Sequence, residues 1–284
     1  MIVNINPSLF WDQMKPLIRL KGVGCRDFLQ GQTSADFSTL KAGQLLKSCW
    51  LSATGRVRAL LEIRLDEEGA DVLVLSGDVN VLTKNFEDVI FPADQVQIQE
   101  VLKIRRLQEM DKCEFDQNKV EWVLTGQSPT DFWNGLNRAD SYQFESWRLK
   151  QGLPSWPEEL DGETNPFELG LAKWISLSKG CYLGQESLSK IYQTKTLKQQ
   201  IRFWVSEEVI NCGEKLFFLE KSDDFHEKKA GIITSSLRRM DSLGSMGLAL
   251  IRRKFIEETQ LDLEMQSKRV RLIIPDSFVP FPEN

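Results

Sequence analysis

The stretch of this 284-residue sequence with the clearest chemical character is the octapeptide Lys179-Gly180-Cys181-Tyr182-Leu183-Gly184-Gln185-Glu186. It places a thiol two residues after a lysine and between two glycines, ahead of Leu188 and Ile191 at helical spacing. A cysteine in a glycine-flanked turn before a helix lies near backbone N–H groups and the positive end of the helix dipole. These groups and the charge of Lys179 favour the thiolate and lower the thiol pKa from its usual ~8.5. The octapeptide therefore predicts a reactive or ligand-binding Cys181, with Lys179 assisting it.

Few other side chains could share this chemistry. The only histidine, His226, lies in a charged run that is typical of an exposed loop. A Cys-His pair would need that residue, and a site with several histidines is excluded. The five cysteines include no C-x-x-C pair, which argues against a disulfide framework and a structural zinc site. Cys181 is thus expected to act without a histidine base, and no metal site is predicted.

The segments around the octapeptide predict how it is held. Residues 173–177 have the short apolar character of a strand, and residues 185–192 have the spacing of a helix. Further upstream, residues 45–52 and 57–65 read as two strands joined at Ala53-Thr54-Gly55-Arg56. Apolar and charged residues alternate in the second strand, so we expect one buried face and one charged face.

Other segments leave alternatives open. Residues 31–36 are either a plain helix-ending loop or a ligand-facing turn. The helix predicted over 141–150 carries Phe144 and Trp147 beside Arg148. Aromatic residues at this spacing are either core or the wall of a site, and the adjacent arginine favours the wall.

The order of elements predicts an α+β fold with helices on one side of a mainly antiparallel sheet. Beyond about residue 200 the pattern changes to short strands at regular spacing, which is typical of a small β-barrel or sandwich. We expect the boundary near 195–203, with a body over 1–200 and a barrel over 201–284.

Composition indicates an ordinary globular protein, with 41% hydrophobic and 27% charged residues and a net charge of −5. The chain contains no apolar run near the ~20 residues of a membrane span, and its first residues lack the order of a signal peptide. We expect a cytoplasmic protein with no membrane partner; an organelle stroma or matrix is the alternative.

The octapeptide resembles the signature of the YgfZ-type folate-binding proteins, which are relatives of the glycine-cleavage T-protein, an aminomethyltransferase. Most of the chain shares the resemblance, in the right order. The further matching segments are residues 28–36, 54–57, 148–154, 166–171 and, more weakly, 230–235.

The resemblance implies a T-protein-like body of three subdomains around a central pocket, followed by a C-terminal β-barrel. It implies tetrahydrofolate or a derivative as ligand, and a role in assembling or repairing iron–sulfur clusters. The implied partners are iron–sulfur proteins or their assembly factors, including a tRNA-modifying enzyme. Phe144 matches an aromatic near the pterin, and Arg148 an arginine near the folate. The other ligand-binding residues expected from the matched motifs are Gln32, Arg56, Gly180, Tyr182, Gly184, Gln185 and Glu186.

Two positions depart from the family pattern. T-protein relatives carry an aspartate on the strand after the glycine turn, whereas this chain has no carboxylate there before Glu62. Arg56 and Arg58 cannot act as bases, because the pKa of arginine lies above ~12. After the octapeptide, Lys190 stands where the family commonly has an arginine, which keeps the charge but loses the bidentate fork.

Three functions follow as hypotheses. The first is a folate-dependent accessory factor for iron–sulfur proteins that uses Cys181. The second is a one-carbon transferase with Glu62 or Glu186 as substitute base. The third is a scaffold that docks RNA or a protein on its basic surface between Lys190 and Arg202, a stretch with no acidic residue.

Overall fold

The structure, a computed structural model, describes residues 8–110, 118–219, 227–241, 243–258, 260–263 and 268–282. His226, the only histidine, lies outside the described residues. The α-helices are α1 (Cys25–Gln32), α2 (Val79–Val89), α3 (Ser141–Gln151) and α4 (Gln185–Thr194). The strands before α4 are β1 (Leu9–Lys21), β2 (Leu45–Leu51), β3 (Val57–Leu65), β4 (Gly69–Gly77), β5 (Gln97–Ile98), β6 (Leu102–Glu109), β7 (Val120–Val123) and β8 (Asn137–Arg138). Those after it are β9 (Gln199–Ser206), β10 (Lys215–Leu219), β11 (Glu227–Arg238), β12 (Ser245–Arg252), β13 (Gln260–Leu263) and β14 (Arg269–Ile273). The expected α+β fold is confirmed.

The first half of the chain forms one large sheet, mostly antiparallel. Its strands run in the order β2-β3-β4-β1-β6-β7, and the short strands β5 and β8 pair with β1. The long β1 lies in the middle of the sheet, where it pairs with β4 over residues 17–21 and with β6 over residues 10–17. A single strand thus organises both halves of the sheet.

The sheet is strongly curled. Glu62 on β3 accepts two hydrogen bonds from Arg106 on β6, at 2.5 and 2.7 Å, and one from the indole of Trp122 on β7, at 3.1 Å. In a flat sheet, three strand spacings of ~4.8 Å would separate β3 from β6. These side chains meet because the sheet folds toward them, which creates a concave inner face.

This curl corrects the expectation for β3. Val57, Ala59 and Leu61 are buried as predicted, but the opposite face is not a solvent-exposed charged face. Leu60 is only 3% exposed and Glu62 is fully buried, since both lie on the concave side. Alternation in the sequence identified two faces correctly, yet it could not reveal that the charged face is also enclosed.

The last strands close into a barrel in the order β10-β11-β12-β9-β14-β13. Its interior contains the fully buried Trp204, with Leu216, Ile233 and Ile251. The outer face of β9 and β12 packs on the body, because Ile201, Phe203 and Leu248 share one apolar cluster with Leu149 and Phe167. The short strands expected after residue 200 are confirmed, whereas the division at residue 200 and the three subdomains stay predictions.

The strand expected over 173–177 is wrong. Residues 172–174 form a 3₁₀ turn, in which the amide of Ile175 donates to the carbonyl of Ala172. Trp174 and Ile175 are buried by tertiary packing, so their apolar character reflects the core rather than strand pairing. Another 3₁₀ helix is formed by Asp131–Gly135.

Among the helices of the described residues, none is long and apolar enough to cross a bilayer.

Candidate functional site: a central cavity and a cysteine loop

The concave face of the sheet encloses a central cavity of about 400 Å³. Residues of β1, β3, β4 and β6 line one side, while α3 and the segment 153–156 line the other. The most buried lining residues, Leu60, Val74, Arg106, Gln108 and Trp174, form its floor. Met14 and Trp156, both about half exposed, lie at its mouth. A cleft of this size and depth, with aromatic walls, suits a small planar ligand.

Helix α3 positions the predicted aromatic residue in this cavity. A capping box fixes its start, since Asp140 and Gln143 bond each other's backbone amides, and Gly152 ends it in a left-handed conformation. Phe144 lines the cavity and stacks on Trp11 of β1, with ring centroids 4.4 Å apart and planes 10° apart. Trp147 lies one turn further along the same wall. Phe144 and Trp147 of α3 therefore form the aromatic wall predicted for 141–150, and Trp11 of β1 supports Phe144 by stacking on it.

Arg148 also lines the cavity, but its guanidinium is already engaged. It donates two hydrogen bonds to Glu145, at 2.6 and 2.8 Å, and one to the carbonyl of Leu153, at 2.5 Å. The buried Glu159 lies 3.7 Å away and accepts a hydrogen bond from Ser235 of the barrel at 2.5 Å. Arg148 thus ties α3 to the mouth of the cavity and to the barrel, and its contact with folate stays a prediction.

A polar network forms part of the floor. Arg106 connects the carboxylate of Glu62 to Gln108, whose Oε1 accepts from Nη1 at 2.5 Å. Although burial opposes ionisation, the charge and hydrogen bonds of Arg106 hold the pKa of Glu62 below its ordinary value. Because an arginine can only donate, the amide of Gln108 must present its oxygen to Arg106 and its nitrogen away from it. That buried Nε2 has no hydrogen-bond partner among the described residues.

Lys15 of β1 is the amine of the cavity. Its ammonium donates to the carbonyl of Leu75 on the neighbouring β4 at 2.6 Å. Burial, and then the charge of Arg106, lower the pKa of Lys15 to about 8, although Glu62 acts in the opposite direction. The cavity therefore contains a cation that deprotonates close to neutral pH.

The octapeptide lies in a separate feature, which we call the cysteine loop (residues 175–184). Lys179 anchors it: the ammonium donates to the carbonyls of Gln30, Thr33 and Ala35 at 2.6–2.7 Å. Burial lowers the pKa of Lys179 to about 8. An ammonium has three N–H bonds, so all of its donors hold the end of α1 and the segment after it. None remains to donate to Cys181, and the effect of the Lys179 charge on the thiol stays a prediction.

Two glycines bring this loop against the turn between β2 and β3. Gly184 has φ of +83°, and a Cβ there would lie 2.5 Å from the carbonyl oxygen of Ser52 and 2.9 Å from the Cα of Gly55. A Cβ on Gly55 would in turn approach the carbonyl of Gly184 to 3.2 Å. The two motifs therefore need glycine at both positions, because their backbones touch.

The remaining residues of the octapeptide have different environments. Gln185 begins α4 as predicted and donates to the carbonyl of Lys179 at 3.1 Å, which closes the loop. Tyr182 is buried, its hydroxyl has no partner among the described residues, and burial raises its pKa. Glu186 points outward and pairs with Lys190 one turn later at 2.7 Å. Gly180 is exposed, and no atom lies within 4 Å of where its Cβ would be.

Cys181 is exposed and lies ahead of the first helical residue, Gln185. The nearby Leu183 donates its amide to the carbonyl of Gly31 at 3.1 Å, which places the loop beside Gln32, the half-buried last residue of α1. Arg56 points elsewhere, with its guanidinium 3.5 Å from Glu168. Helix α1 ends at Gln32, so residues 31–36 end the helix as the first of the two alternatives expected, and their carbonyls also hold the cysteine loop.

The structure consequently separates the predicted site residues into two groups. Phe144 and Arg148 line the cavity, whereas none of residues 179–186 does, all of them being described. Trp174 connects the two parts, since it lines the cavity floor immediately before the cysteine loop. Cys181 therefore lies outside the cavity itself, and the ligand-binding and catalytic roles expected for both groups stay predictions.

Sequence reasoning missed Lys15, Arg106, Gln108 and Trp11. The signal that could have found them is alternation along a strand, which places Trp11 and Lys15 on one face of β1 and Arg106 and Gln108 on one face of β6. Arg106 and Gln108 both lie on β6, which follows the two-residue strand β5.

The basic stretch after the octapeptide is not one uniform cationic surface. Lys190 is paired with Glu186, Lys195 lies 3.4 Å from the ring centre of Tyr192, and the buried Arg202 donates to Gln200 at 2.7 Å. The fourth cation of this stretch, Lys198, is exposed, and its side chain makes no hydrogen bond, ion pair or ring contact with a described residue. This arrangement gives little support to an RNA-docking role.

Known proteins similar to this chain fall into two groups: some match most of the chain, and others match about half of it. A putative chloroplastic transferase of Arabidopsis thaliana is 24% identical over 84% of this chain, and this chain covers 63% of its length. The tRNA-modifying protein YgfZ of Aliivibrio fischeri is 22% identical over 87% of this chain and 86% of its own length. The aminomethyltransferase of a Thermoanaerobacter species is 28% identical over 49% of this chain and 35% of its own length. No family model matches the chain.

The fold matches a solved structure more completely than the sequence does. The glycine cleavage system aminomethyltransferase T from Bartonella henselae superposes with a TM-score of 0.73 over 97% of this chain and 88% of its own. At 16% identity, this likeness establishes the T-protein fold. Together, the sequence relatives and the shared fold support the identification of this chain as a YgfZ-type, T-protein-like protein.

Proposed function

We propose that this protein is a folate-binding accessory factor that supports iron–sulfur cluster assembly or repair in target enzymes, including tRNA-modifying ones, through Cys181. The observation that carries the proposal is the aromatic-walled cavity of about 400 Å³ within a T-protein fold. Tetrahydrofolate or a derivative is the ligand that its relatives suggest.

The residues of the cavity fit a folate. Phe144 and Trp147 form a wall for a planar ring, and the partnerless Nε2 of Gln108 supplies a buried donor to be satisfied. These residues would hold the ring, while the ligand itself would supply the one-carbon chemistry. Cys181 is exposed and lies outside the cavity, so a partner can reach it without entering the cavity.

The transferase alternative is less well supported, although aminomethyltransferases are among the relatives. Glu62 is held by Arg106 and Trp122, and Glu186 pairs with Lys190 on the surface. Glu145, the carboxylate among the described lining residues, is bound by Arg148. A general base needs a free carboxylate within reach of its proton, and these three are engaged.

The proposal is tested in cells that lack their own YgfZ-type protein. The readout is the product of a cluster-dependent tRNA-thiolating enzyme, quantified in digested tRNA by mass spectrometry. The wild-type chain should restore the thiolated nucleoside and Cys181→Ala should not, at equal amounts of soluble protein. Cys212→Ala is the matched control, because Cys212 is also an exposed free thiol. Full restoration by Cys181→Ala would refute the role of the thiol.

A further inference from the structure

We propose that Lys15 binds the ligand in the central cavity: its ammonium donates a hydrogen bond to an acceptor atom of the bound folate. The acceptor is a carbonyl oxygen or an unprotonated ring nitrogen. This inference rests on the proposed function, because it takes a folate as the ligand. Lys15 lies outside every segment through which the sequence resembles the family.

The position of Lys15 gives it spare donors. It lies on the cavity side of β1, opposite Ile104 of β6, and its ammonium spans to β4 to donate to the carbonyl of Leu75 at 2.6 Å. Within the described residues this is its only hydrogen bond. Two of its three N–H bonds are therefore available to a ligand.

The charged groups around the cavity leave Lys15 without a direct ion-pair partner among the described residues. Arg106 is paired with Glu62, and Arg148 is paired with Glu145. Among the described carboxylates, none lies within ion-pair distance of Lys15. A half-buried ammonium with a single neutral partner is costly, and an acceptor on a ligand would reduce that cost. The pKa of Lys15 is lowered to about 8 for a related reason: burial and the charge of Arg106 disfavour the ammonium, and no carboxylate pairs with it directly.

The charge of Lys15 also predicts which folates bind most tightly in the cavity. Its ammonium bonds the backbone at Leu75, and β4 pairs in this region with Leu60 of β3, which lines the cavity. This is the strand on which T-protein relatives are expected to carry an aspartate. A cation near this strand favours folates that present an oxygen or a neutral nitrogen, such as a 5-formyl carbonyl. It disfavours folates that carry a positive charge, such as a methenyl bridge.

The test is a calorimetric titration of 5-formyltetrahydrofolate, a stable reduced folate, at several pH values between 6.5 and 9. Wild type is compared with Lys15→Met and with Lys103→Met, a control at an exposed position on the neighbouring β6. A charge-assisted hydrogen bond predicts a loss of affinity of about tenfold or more in Lys15→Met and none in Lys103→Met.

The pH dependence gives a second readout. Only protonated Lys15 can donate from a full ammonium, so wild-type affinity should be constant below about pH 7 and decrease above about pH 8. The charged groups that face Lys15 are Arg106, Glu62, Glu145 and Arg148, and carboxylates and arginines do not titrate in this range. The affinity of Lys15→Met should therefore be low and should lack the decrease above pH 8. Any titration of the ligand itself affects both proteins equally, so it cancels when the two pH profiles are compared.

A third readout needs no variant and so does not depend on folding of Lys15→Met. Near pH 8, ligand binding should draw a proton onto Lys15, so the binding enthalpy should change between phosphate and Tris buffers. Limited acetylation followed by mass spectrometry should show Lys15 protected by the ligand and Lys103 not.

The outcomes separate this inference from the proposed function. If wild type binds the folate but Lys15→Met binds equally well with the same pH profile, the inference is wrong and folate binding stands. If wild type shows no saturable binding to any reduced folate, both are wrong. Tight binding without buffer-dependent enthalpy and without protection of Lys15 would also overturn the inference.

Discussion

The central cavity and the cysteine loop are positioned by different kinds of interaction. The cavity depends on side chains that meet across a curled sheet, above all Glu62 and Arg106 from strands three spacings apart. The loop depends on backbone contacts: Lys179 binds three carbonyls, and Gly184 touches the turn at Ser52 and Gly55. Side-chain contacts thus shape the cavity, whereas backbone contacts determine where the exposed Cys181 lies.

The largest effect is expected where the cavity floor loses its charge pair. Arg106→Met leaves the fully buried carboxylate of Glu62 without its cation, which should reduce the free energy of unfolding by about 3–5 kcal/mol. Urea unfolding at pH 7 measures this loss. Glu62→Leu combined with Arg106→Met is the control, and it should recover much of the stability because no uncompensated charge remains.

The same pair predicts a pH dependence. The folded-state pKa of Glu62 is depressed, so its contribution to stability is present above the unfolded pKa of ~4.3 and is lost as the pH falls through the folded value. The double variant should lose less stability than wild type on acidification below pH 4. Equal losses in both proteins would show that Glu62 does not contribute in this way.

A smaller effect is expected in the cysteine loop. Gly184→Ala requires a left-handed conformation and a Cβ 2.5 Å from the carbonyl oxygen of Ser52, so it should cost about 1–3 kcal/mol. Gly180→Ala is the matched control, since Gly180 has no positive φ and open space around it. Thermal unfolding compares the two, and the alkylation rate of Cys181 should change only in Gly184→Ala. A destabilised Gly180→Ala, or an unaffected Gly184→Ala, would contradict the described loop.

The two regions also differ in how far the sequence predicted them. The octapeptide is local, so its helix start at Gln185 and its glycine turn could be read from adjacent residues. The cavity is non-local: Lys15, Glu62 and Gln108 come from three strands, and nothing in their own segments shows that the sheet curls until they meet. The barrel strands were predictable because regular spacing of short apolar segments is itself a local signal.

The contacts of Lys179 could not be predicted for a related reason. Proximity in sequence suggested that its charge would act on Cys181, two residues away. In the structure, the side chain instead reaches carbonyls some 150 residues earlier in the chain, at Gln30, Thr33 and Ala35. A lysine side chain is long enough to reach partners that are distant in the sequence, so its neighbours in the sequence do not determine its contacts.

The smallest expected effect tests the central claim most directly. The claim is that the cavity proposed to bind folate and the thiol of Cys181 are separate parts of the protein. The measurement is the dissociation constant of 5-formyltetrahydrofolate for wild type, Phe144→Ala and Cys181→Ala by calorimetry. We expect Phe144→Ala to weaken binding about tenfold, through loss of its aromatic contact, and Cys181→Ala to bind within about twofold of wild type. Loss of folate binding in Cys181→Ala with unchanged binding in Phe144→Ala would contradict the account.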